Sequence, residues 1–510
     1  MTGTSPRRRA VFGTLLVSLV VLSALATSEL AGAIVYGRLY GPYHDAVGAY
    51  LAQGRNPQPE WIPDPLCHHR PNTAVAHNEV NRHRTRGPDF PLAKAPDELR
   101  IVCVGDSTTE GLTLPADQAY PAFLERFLAE ILPARHVIAI NGGVSNHNSA
   151  FNLSYLGLSL IHLQPDVVVI KSSYNDYVSY QSSLLDHDYS QLPVYCLHPL
   201  PEPPPSWVRL SQWGKVWTAQ QLSATQNVFG SGQYPLRDSS RMTGAEVIDD
   251  NLEHSTIFRE QILGMVGIAR ANGAEPVLLD LPLAPDASPR EFVRIVGHFN
   301  HELAQVAEKA GIPLVRTADG LGANDFLDRC HNYSQGHQRI AARVANQLAS
   351  RLGARERWEE VDSSSYRLRD VSGPPALEND PVTLFDPAPT GYVSFMDTER
   401  PKGFVLDLGR TVGKGLLILS WTARAESLGT HLIGMSADGQ EWRVALSQEN
   451  RSPQGATIVR VEGARYLRVE GRKRPGLNWL WLRRLNVWER VPTGNSPRAG
   501  SGRSAGHSAR

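Results

Sequence analysis

A regular alternation of short apolar runs and amphipathic segments, between residues 99 and 353, constrains the fold of this chain more than any other feature. The apolar runs are rich in β-branched residues and lie at 100–105, 136–141, 166–171, 275–281 and 312–316. Helical periodicities follow them at 120–132, 149–163, 255–273, 290–311 and 335–353. Apolar strands that alternate with amphipathic helices are typical of a parallel sheet covered on both faces. The sequence therefore predicts a three-layer α/β domain with a five-stranded parallel sheet.

The first 37 residues predict export or attachment to a membrane. Arg7, Arg8 and Arg9 precede an uncharged apolar run from Ala10 to Ala26. This pattern fits a signal peptide cleaved after "ALA" at 24–26, or an uncleaved anchor, because apolar residues resume at 30–37. A buried helix of a soluble protein is the third alternative. Arginines before the span keep the N-terminus cytoplasmic, so we expect the chain beyond about residue 40 to be extracytoplasmic, either anchored or secreted.

Composition shifts divide the rest of the chain. Residues 38–97 are rich in Pro, His and Asn and predict an irregular arm. The α/β domain should span 98–355, with a proline-rich insertion at 182–250. The insertion contains Trp207, Trp213 and Trp217, which either fill the core of a lid or line a substrate cleft. Short strand-like runs and frequent turns predict an all-β sandwich over 358–491. The tail 492–510 has too few apolar residues to fold and should be disordered.

Charge and cysteine content exclude several classes of partner. The 51 Lys and Arg residues balance 51 Asp and Glu residues, so no global field attracts nucleic acid. Four cysteines are too few for a disulfide scaffold and form no C-x-x-C pair, which leaves one or two bridges open. Cys103 lies within an apolar run and is expected to be a free core thiol. His68 and His69 are adjacent and are expected to be solvated loop residues, so we predict no metal site.

Polar residues follow three of the predicted strands. Ser107 follows the first strand, Asn175 and Asp176 follow the third, and Asp328 and His331 follow the fifth and precede the last helix. The carboxyl ends of parallel strands meet at one edge of a sheet. A serine nucleophile needs a base, a group that orients the base and donors for an oxyanion, and this set supplies candidates for each. Helix capping by the individual residues is the alternative interpretation.

These residues resemble the SGNH (GDSL) hydrolase family over about residues 98–353. "VGDSTTEG" carries the family serine, "SYND" keeps the asparagine of the third block, and D-x-x-H carries the family acid and base. Ser173 and Asn146 stand where the family has glycine. The resemblance implies a flavodoxin-like fold, a catalytic triad of Ser107, Asp328 and His331, and an oxyanion hole formed by Ser107, Asn146 and Asn175. It further suggests Asp106, Tyr174 and Asp176 as substrate-binding residues.

The β region resembles the discoidin or galactose-binding jelly-roll family across about residues 375–490. "GFVLDLG", "SADGQEW" and "ARYLRV" carry this resemblance. It implies either carbohydrate binding or a purely architectural module. Together the two resemblances predict an exported serine esterase that needs no cofactor and removes O-acyl groups, such as acetyl, from a polysaccharide or glycoconjugate, or cleaves a small ester. An O-acyltransferase using the same triad and a non-catalytic glycan-binding protein are the alternatives.

Overall fold

A computed structural model of the chain separates into two compact units. One unit comprises residues 1–78 and 190–240, and the other comprises 79–189 and 241–510. The structure describes residues 6–40, 61–64, 68–71, 79–112, 114–172, 174–182, 185, 189, 211–229, 244–285, 288–371, 384, 393–395, 402–423, 429–451, 455–473 and 480–493. The predicted disordered tail lies outside these residues, except for its first two positions, as do Ser173, Trp207, Cys67 and Cys196.

The first unit is built on a long N-terminal helix. Helix α1 spans Pro6–Tyr40, and its stretch Val11–Arg38 is long and apolar enough to cross a membrane. Strands β1 (Trp61–Asp64) and β2 (His68–Pro71) pair as an antiparallel hairpin within the predicted irregular arm. His69 is buried there rather than solvated as predicted, because the hairpin pairing fixes the backbone around it. A helix in the insertion, Gln212–Phe229, begins against α1, where Trp213 Nε1 donates to the Ser28 carbonyl oxygen at 2.9 Å.

The predicted five-stranded parallel sheet forms in the second unit. Its strands in chain order are β3 (Glu98–Gly105), β4 (His136–Gly143), β5 (Val167–Lys171), β6 (Glu275–Leu279) and β7 (Leu314–Val315). They pair in the order β4-β3-β5-β6-β7, which is the flavodoxin-like order. After β3, the chain adds β4 on one side of it and then adds β5 on the other side. This change of side makes the carboxyl end of β3 the topological switch point, where open α/β sheets bind ligands.

Helices cover this sheet on both faces. The helices after α1 are, in chain order, α2 (Ser107–Glu110), α3 (Tyr120–Ile131), α4 (Ser149–Leu158), α5 (Asp176–Ser179), α6 (the insertion helix Gln212–Phe229, which belongs to the first unit), α7 (Gly244–His254), α8 (Ile257–Ala271), α9 (Arg290–Ala310) and α10 (Ser334–Arg351). Short 3-10 turns lie at Ala116–Gln118, Leu160–Leu163, Ala323–Asp325 and Ser363–Ser365. Cys103 is a free, fully buried thiol in β3, as the sequence predicts.

The C-terminal region is an antiparallel β domain. Its strands are β8 (Glu356–Glu360), β9 (Arg367–Val371), β10 (Val393–Phe395), β11 (Lys402–Ala423), β12 (Gly429–Ser436), β13 (Arg443–Arg451), β14 (Ala456–Lys473) and β15 (Leu480–Pro492). The long strands β11 and β14 pair throughout, with a register shift between Asp407 and Val412. On one side of this shift β11 also pairs with β9, and on the other side it pairs with β15.

One face of the β domain belongs to the core of the α/β domain. Leu416 and Ile418 lie in the cluster that contains the inner faces of α3 and α10, whereas Leu417 and Leu419 lie in the β domain's own cluster. This division follows from the two-residue period of a strand, which sends successive side chains to opposite faces. Trp358 and Trp488 join the shared cluster, and both rings contact Phe127 of α3.

Candidate active site

Ser107 lies at the sharp end of β3, where the strand passes directly into α2. Asp106 is the N-cap of this helix, and its carboxylate accepts a hydrogen bond from the Thr108 N–H at 2.8 Å. Gly105 permits the turn, since a Cβ at this position would lie 2.5 Å from the Lys171 carbonyl oxygen. The strand end and the cap together leave the Ser107 hydroxyl partly exposed above a buried turn.

The structure brings Ser107, His331 and Asp328 into one hydrogen-bonded chain. Ser107 Oγ lies 2.8 Å from His331 Nε2, and His331 Nδ1 lies 2.7 Å from Asp328 Oδ2. The other carboxylate oxygen of Asp328 accepts the N–H groups of Cys330 at 2.9 Å and His331 at 2.8 Å. Asp328 does not cap the last helix, which begins at Ser334. Ser107 and His331 are 224 positions apart in sequence, and the parallel sheet brings them together at its carboxyl edge.

The hydrogen bond between Asp328 and His331 lowers the pKa of Asp328 and raises the pKa of His331. Burial alone would raise the pKa of Asp328, but the hydrogen bonds from the His331 ring and from the two N–H groups hold it well below its usual range. Burial alone would lower the pKa of His331, but its bond to Asp328 and the neighbouring Cys330 raise it to about 10. Cys330 is a buried free thiol whose Sγ lies 3.8 Å from His331 Nδ1. The carboxylate therefore stabilises the protonated form of the imidazole.

Two backbone N–H groups near Ser107 have the features of an oxyanion hole. Asn146 adopts a left-handed conformation with φ of 64°, in a turn that the His147 N–H closes onto the Val144 carbonyl oxygen at 3.1 Å. The N–H groups of Ser107 and Asn146 have no acceptor among the residues that the structure describes. Asparagine tolerates the left-handed region better than most residues do. The turn thus has the conformation that a glycine would supply.

Asn175 and Asp176 connect the loop after β5 to this turn. Asn175 Nδ2 donates to the His147 carbonyl oxygen at 2.9 Å. Asp176 is fully buried and accepts hydrogen bonds from the Ser149 N–H at 2.9 Å and the Tyr189 hydroxyl at 2.5 Å. Burial raises the pKa of Asp176 to about 7, against the effect of these bonds. Its position favours the alignment of α4 and α5 over direct substrate binding.

Asp106 and Tyr174, also predicted to bind substrate, lie buried beneath Ser107. Asp106 Oδ2 accepts the Tyr174 N–H at 2.9 Å, and the Tyr174 hydroxyl donates to the Pro282 carbonyl oxygen at 2.5 Å. These bonds join the loops after β3, β5 and β6. Tyr174 and Asp106 are 4% and 0% exposed, so they support the site from below and present little surface to a ligand.

Two buried residues that the sequence interpretation missed also hold the site. Lys171 ends β5, and its Nζ donates to Oγ1 of Thr108, the residue after Ser107, at 2.5 Å. Burial lowers the pKa of Lys171, and the charge of Asp106 opposes this effect. Glu110 of α2 accepts the Ser145 N–H at 2.8 Å and the Ser145 hydroxyl, which fixes the turn that contains Asn146. The lysine that ends the run "DVVVIK" was the available sequence signal; Glu110 gave none.

Residues 103–339 match the family described as GDSL-like Lipase/Acylhydrolase. Similar solved structures include a GDSL-like lipase from Bacteroides thetaiotaomicron VPI-5482, with 15% identity, a TM-score of 0.28, and coverage of 49% of this chain and 88% of that chain. They also include LAE5, an alpha/beta hydrolase from the metagenome of Lake Arreo, with 17% identity, a TM-score of 0.31, and coverage of 51% and 97%. The acetylxylan esterase Axe2 from Geobacillus stearothermophilus has 14% identity, a TM-score of 0.32, and coverage of 49% and 94%.

The comparison with curated proteins gave no match. The family match begins within β3 and covers the other four strands, Ser107 and the Asp328–His331 loop, but it does not extend to the β domain. The discoidin-like identity of that domain therefore stays a prediction. Residues 103–339 are therefore similar to the GDSL-like lipase/acylhydrolase family, and this similarity supports a hydrolase.

Proposed function

We propose that this hydrolase is a serine carboxylesterase in which Ser107 is the nucleophile, His331 the general base and Asp328 the residue that orients the base. The observation that carries the proposal is the pair of hydrogen bonds at 2.8 and 2.7 Å, which links the serine hydroxyl through the imidazole to the carboxylate. A nucleophile, a base and an orienting group within hydrogen-bond reach are the signature of covalent acyl transfer.

In the first half of the reaction, Ser107 Oγ attacks the ester carbonyl carbon while His331 Nε2 takes the hydroxyl proton. The tetrahedral intermediate collapses, and the imidazolium returns this proton to the departing alcohol oxygen, which leaves an acyl-serine. Water then attacks the acyl carbon with His331 again as base, and the carboxylic acid leaves as Ser107 regains its proton. Asp328 stays ionised throughout, which is consistent with its lowered pKa.

Negative charge on the tetrahedral oxygen is met by the N–H groups of Ser107 and Asn146 and by the amide of Asn175. Preorganised donors of this kind are each worth on the order of 10²–10³ in kcat. The bond from Asn175 Nδ2 to the His147 carbonyl oxygen holds this amide against the turn that contains Asn146. No metal or organic cofactor takes part in this scheme.

The proposed substrates are O-acyl groups, acetyl in particular, on a polysaccharide or glycoconjugate outside the cytoplasm. The N-terminal helix of sufficient length and apolarity supports the location, together with the arginines that precede it. The resemblance of the β region to the galactose-binding jelly-roll family supports a glycan carrier. A small exported ester would use the same chemistry.

Hydrolysis of 4-nitrophenyl acetate by the full chain tests the catalytic proposal. We expect Ser107→Ala to abolish both turnover and labelling by a fluorophosphonate, whereas the matched control Ser364→Ala, at an exposed serine of the β domain, keeps both. Equal activity of Ser107→Ala and the unmodified chain would reject the nucleophile. Acetate release from acetylated polysaccharides, with and without an acceptor sugar, then separates hydrolysis from acyl transfer.

A further inference from the structure

Arg329 lies in the same loop as Asp328 and His331 but is not one of the triad residues. It follows Asp328 directly and precedes Cys330 and His331, and its carbonyl oxygen accepts the Ala284 N–H at 2.9 Å. This bond ties the loop of the triad to the loop after β6. The backbone of Arg329 is therefore held by the loop after β6, while its side chain is exposed.

The guanidinium of Arg329 is held against an aromatic wall. Its Cζ lies 4.4 Å from the ring centroid of Phe292 and 5.9 Å from that of Tyr177. Phe292 is 2% exposed and meets Tyr177 edge-on at 5.0 Å, so the wall is rigid. Tyr177 belongs to α5, two residues after Asn175. The cation thus lies between the triad loop and the helix that follows the oxyanion amide.

The charge of Arg329 has no counter-ion among the residues that the structure describes. Arg339, on the helix that follows this loop, is paired with Asp325 and Glu360, and Arg259 is paired with Glu302. The adjacent carboxylate, Asp328, is engaged by His331. A guanidinium that stacks on a ring keeps the N–H groups at its edge free for a planar or tetrahedral anion.

Tyr177 adds a second donor beside this cation. Its hydroxyl oxygen accepts a hydrogen bond from Gln181 Nε2 at 2.9 Å. That bond uses the oxygen as acceptor and leaves the phenolic hydrogen to be donated elsewhere. An aromatic wall with one fixed cation and one hydroxyl donor is suited to an oxyanion group.

We propose that Arg329, with Tyr177, binds an anionic group on the ester substrate, so that the preferred substrate class is an O-acyl ester on an acidic carrier. This inference rests on the proposed esterase function, because it places the anion relative to the ester that Ser107 attacks. The anion is a carboxylate, sulfate or phosphate, all of which offer the paired oxygens that a guanidinium recognises. Arg329 acts here as a specificity-determining residue and takes no part in proton transfer.

The test uses aryl acetates that carry either an anionic or a neutral group on the alcohol side. 4-Acetoxybenzoate, 4-acetoxybenzenesulfonate and 4-acetoxyphenyl phosphate are compared with neutral 4-acetoxybenzamide, on the full chain. We expect kcat/KM to favour at least one charged ester and this preference to weaken as salt is raised, because the site is exposed. The charged ester with the largest kcat/KM relative to the neutral amide identifies the preferred anion.

Substitution then links the preference to the side chain. Arg329→Met keeps apolar contact with Phe292 and removes the charge, and we expect it to reduce kcat/KM for the charged ester about tenfold more than for the neutral amide. Arg329→Lys should recover part of the preference. The control Arg135→Gln, at the opposite edge of the sheet, should leave the ratio unchanged. Equal losses for charged and neutral esters in Arg329→Met would overturn the proposal.

A binding measurement keeps this inference separate from the esterase proposal. Calorimetric titration of 4-acetoxybenzoate into Ser107→Ala requires no turnover, so it reports the anion site even when hydrolysis fails. We expect Ser107→Ala to bind the charged ester more tightly than the amide, and the further change Arg329→Met to remove the difference. Binding that is indifferent to charge, or to Arg329, would reject the anion site whatever the esterase assay gives.

Discussion

At the scale of single residues, the proposed mechanism makes the pH dependence of catalysis depend on the hydrogen bond between His331 and Asp328. His331 must be neutral to accept the Ser107 proton, so kcat/KM falls as the pH drops through the pKa of this imidazole. Burial works against protonation, but Asp328 and Cys330 raise the pKa from 6.5 to about 10. We therefore expect kcat/KM for an aryl acetate, corrected with Ser107→Ala as blank, to keep rising with pH above 6.5.

Asp328→Asn isolates the cause of this shift. The substitution removes the charge that stabilises the imidazolium, so the midpoint of the pH profile should move to lower pH. We also expect kcat to fall by a factor on the order of 10⁴, because the imidazole loses its orienting carboxylate. The profile of kcat/KM against pH measures both effects. An unchanged midpoint would show that Asp328 does not control the protonation of His331.

Asn146 is the residue at which the oxyanion turn depends on backbone conformation. Its φ of 64° is freely accessible to glycine, is tolerated by asparagine, and is strained for a β-branched residue by about 1–2 kcal/mol. We expect Asn146→Gly to keep kcat within about twofold, whereas Asn146→Val lowers it ten- to a hundredfold by misplacing one N–H donor. Steady-state kinetics on both variants compares them directly. Similar rates for the two would exclude this N–H from the hole.

At the scale of elements, α2 and the turn after β4 are coupled through Glu110. Its carboxylate binds both the N–H and the hydroxyl of Ser145, next to Asn146. Gly143 allows the close approach, because a Cβ there would lie 2.2 Å from the Glu110 nitrogen. We expect Glu110→Ala to lower kcat at least tenfold by loosening the turn, and Glu110→Gln to recover part of the loss.

The pH profile distinguishes this effect from damage to the triad. Glu110 contacts neither His331 nor Asp328 in its described bonds, so the midpoint of the profile should stay at the wild-type value in Glu110→Ala. Thermal unfolding provides the folding control. A shifted midpoint, or a loss that Glu110→Gln matches in full, would contradict a role confined to the turn.

The elements that local patterns encode were predictable, and those that depend on tertiary contacts were not. The five strands and most of the helices lie within two residues of their predicted bounds, because apolar periodicity and strand-ending glycines are local signals. The exception is α4, which ends at Leu158 rather than at residue 163 and is followed by a 3-10 turn at Leu160–Leu163. The set of Ser107, Asp328 and His331 was predictable because parallel strand ends converge. The contact between Glu110 and Ser145 was not, because the two residues lie 35 positions apart on different elements.

At the scale of the whole molecule, the β domain is a structural partner of the catalytic helices. Trp488 of β15 is 4% exposed, lies 5.2 Å from the Phe127 ring, and donates its indole N–H to Gln338 Oε1 of α10 at 3.1 Å. Ser334, the first residue of α10, shares a 2.9 Å hydrogen bond with Ser420 of β11. Because α10 follows the loop of His331, the β domain fixes the helix that adjoins the triad. The contacts favour the architectural interpretation of this domain.

Trp488→Ala tests whether the two regions fold as one cooperative unit. Truncating a buried tryptophan removes packing on both sides of the shared core, at a cost of about 3–5 kcal/mol. We expect the temperature of activity loss and the unfolding temperature of the β strands, followed by circular dichroism, to fall together. Trp442→Ala is the matched control. Trp442 is half-buried under Arg468 on the β domain and lies outside the shared cluster. We expect this substitution to leave the temperature of activity loss unchanged. A shared core cannot lose the β strands and keep the geometry of the catalytic helices. Activity that survives unfolding of the β strands in Trp488→Ala would therefore show that the catalytic domain folds independently.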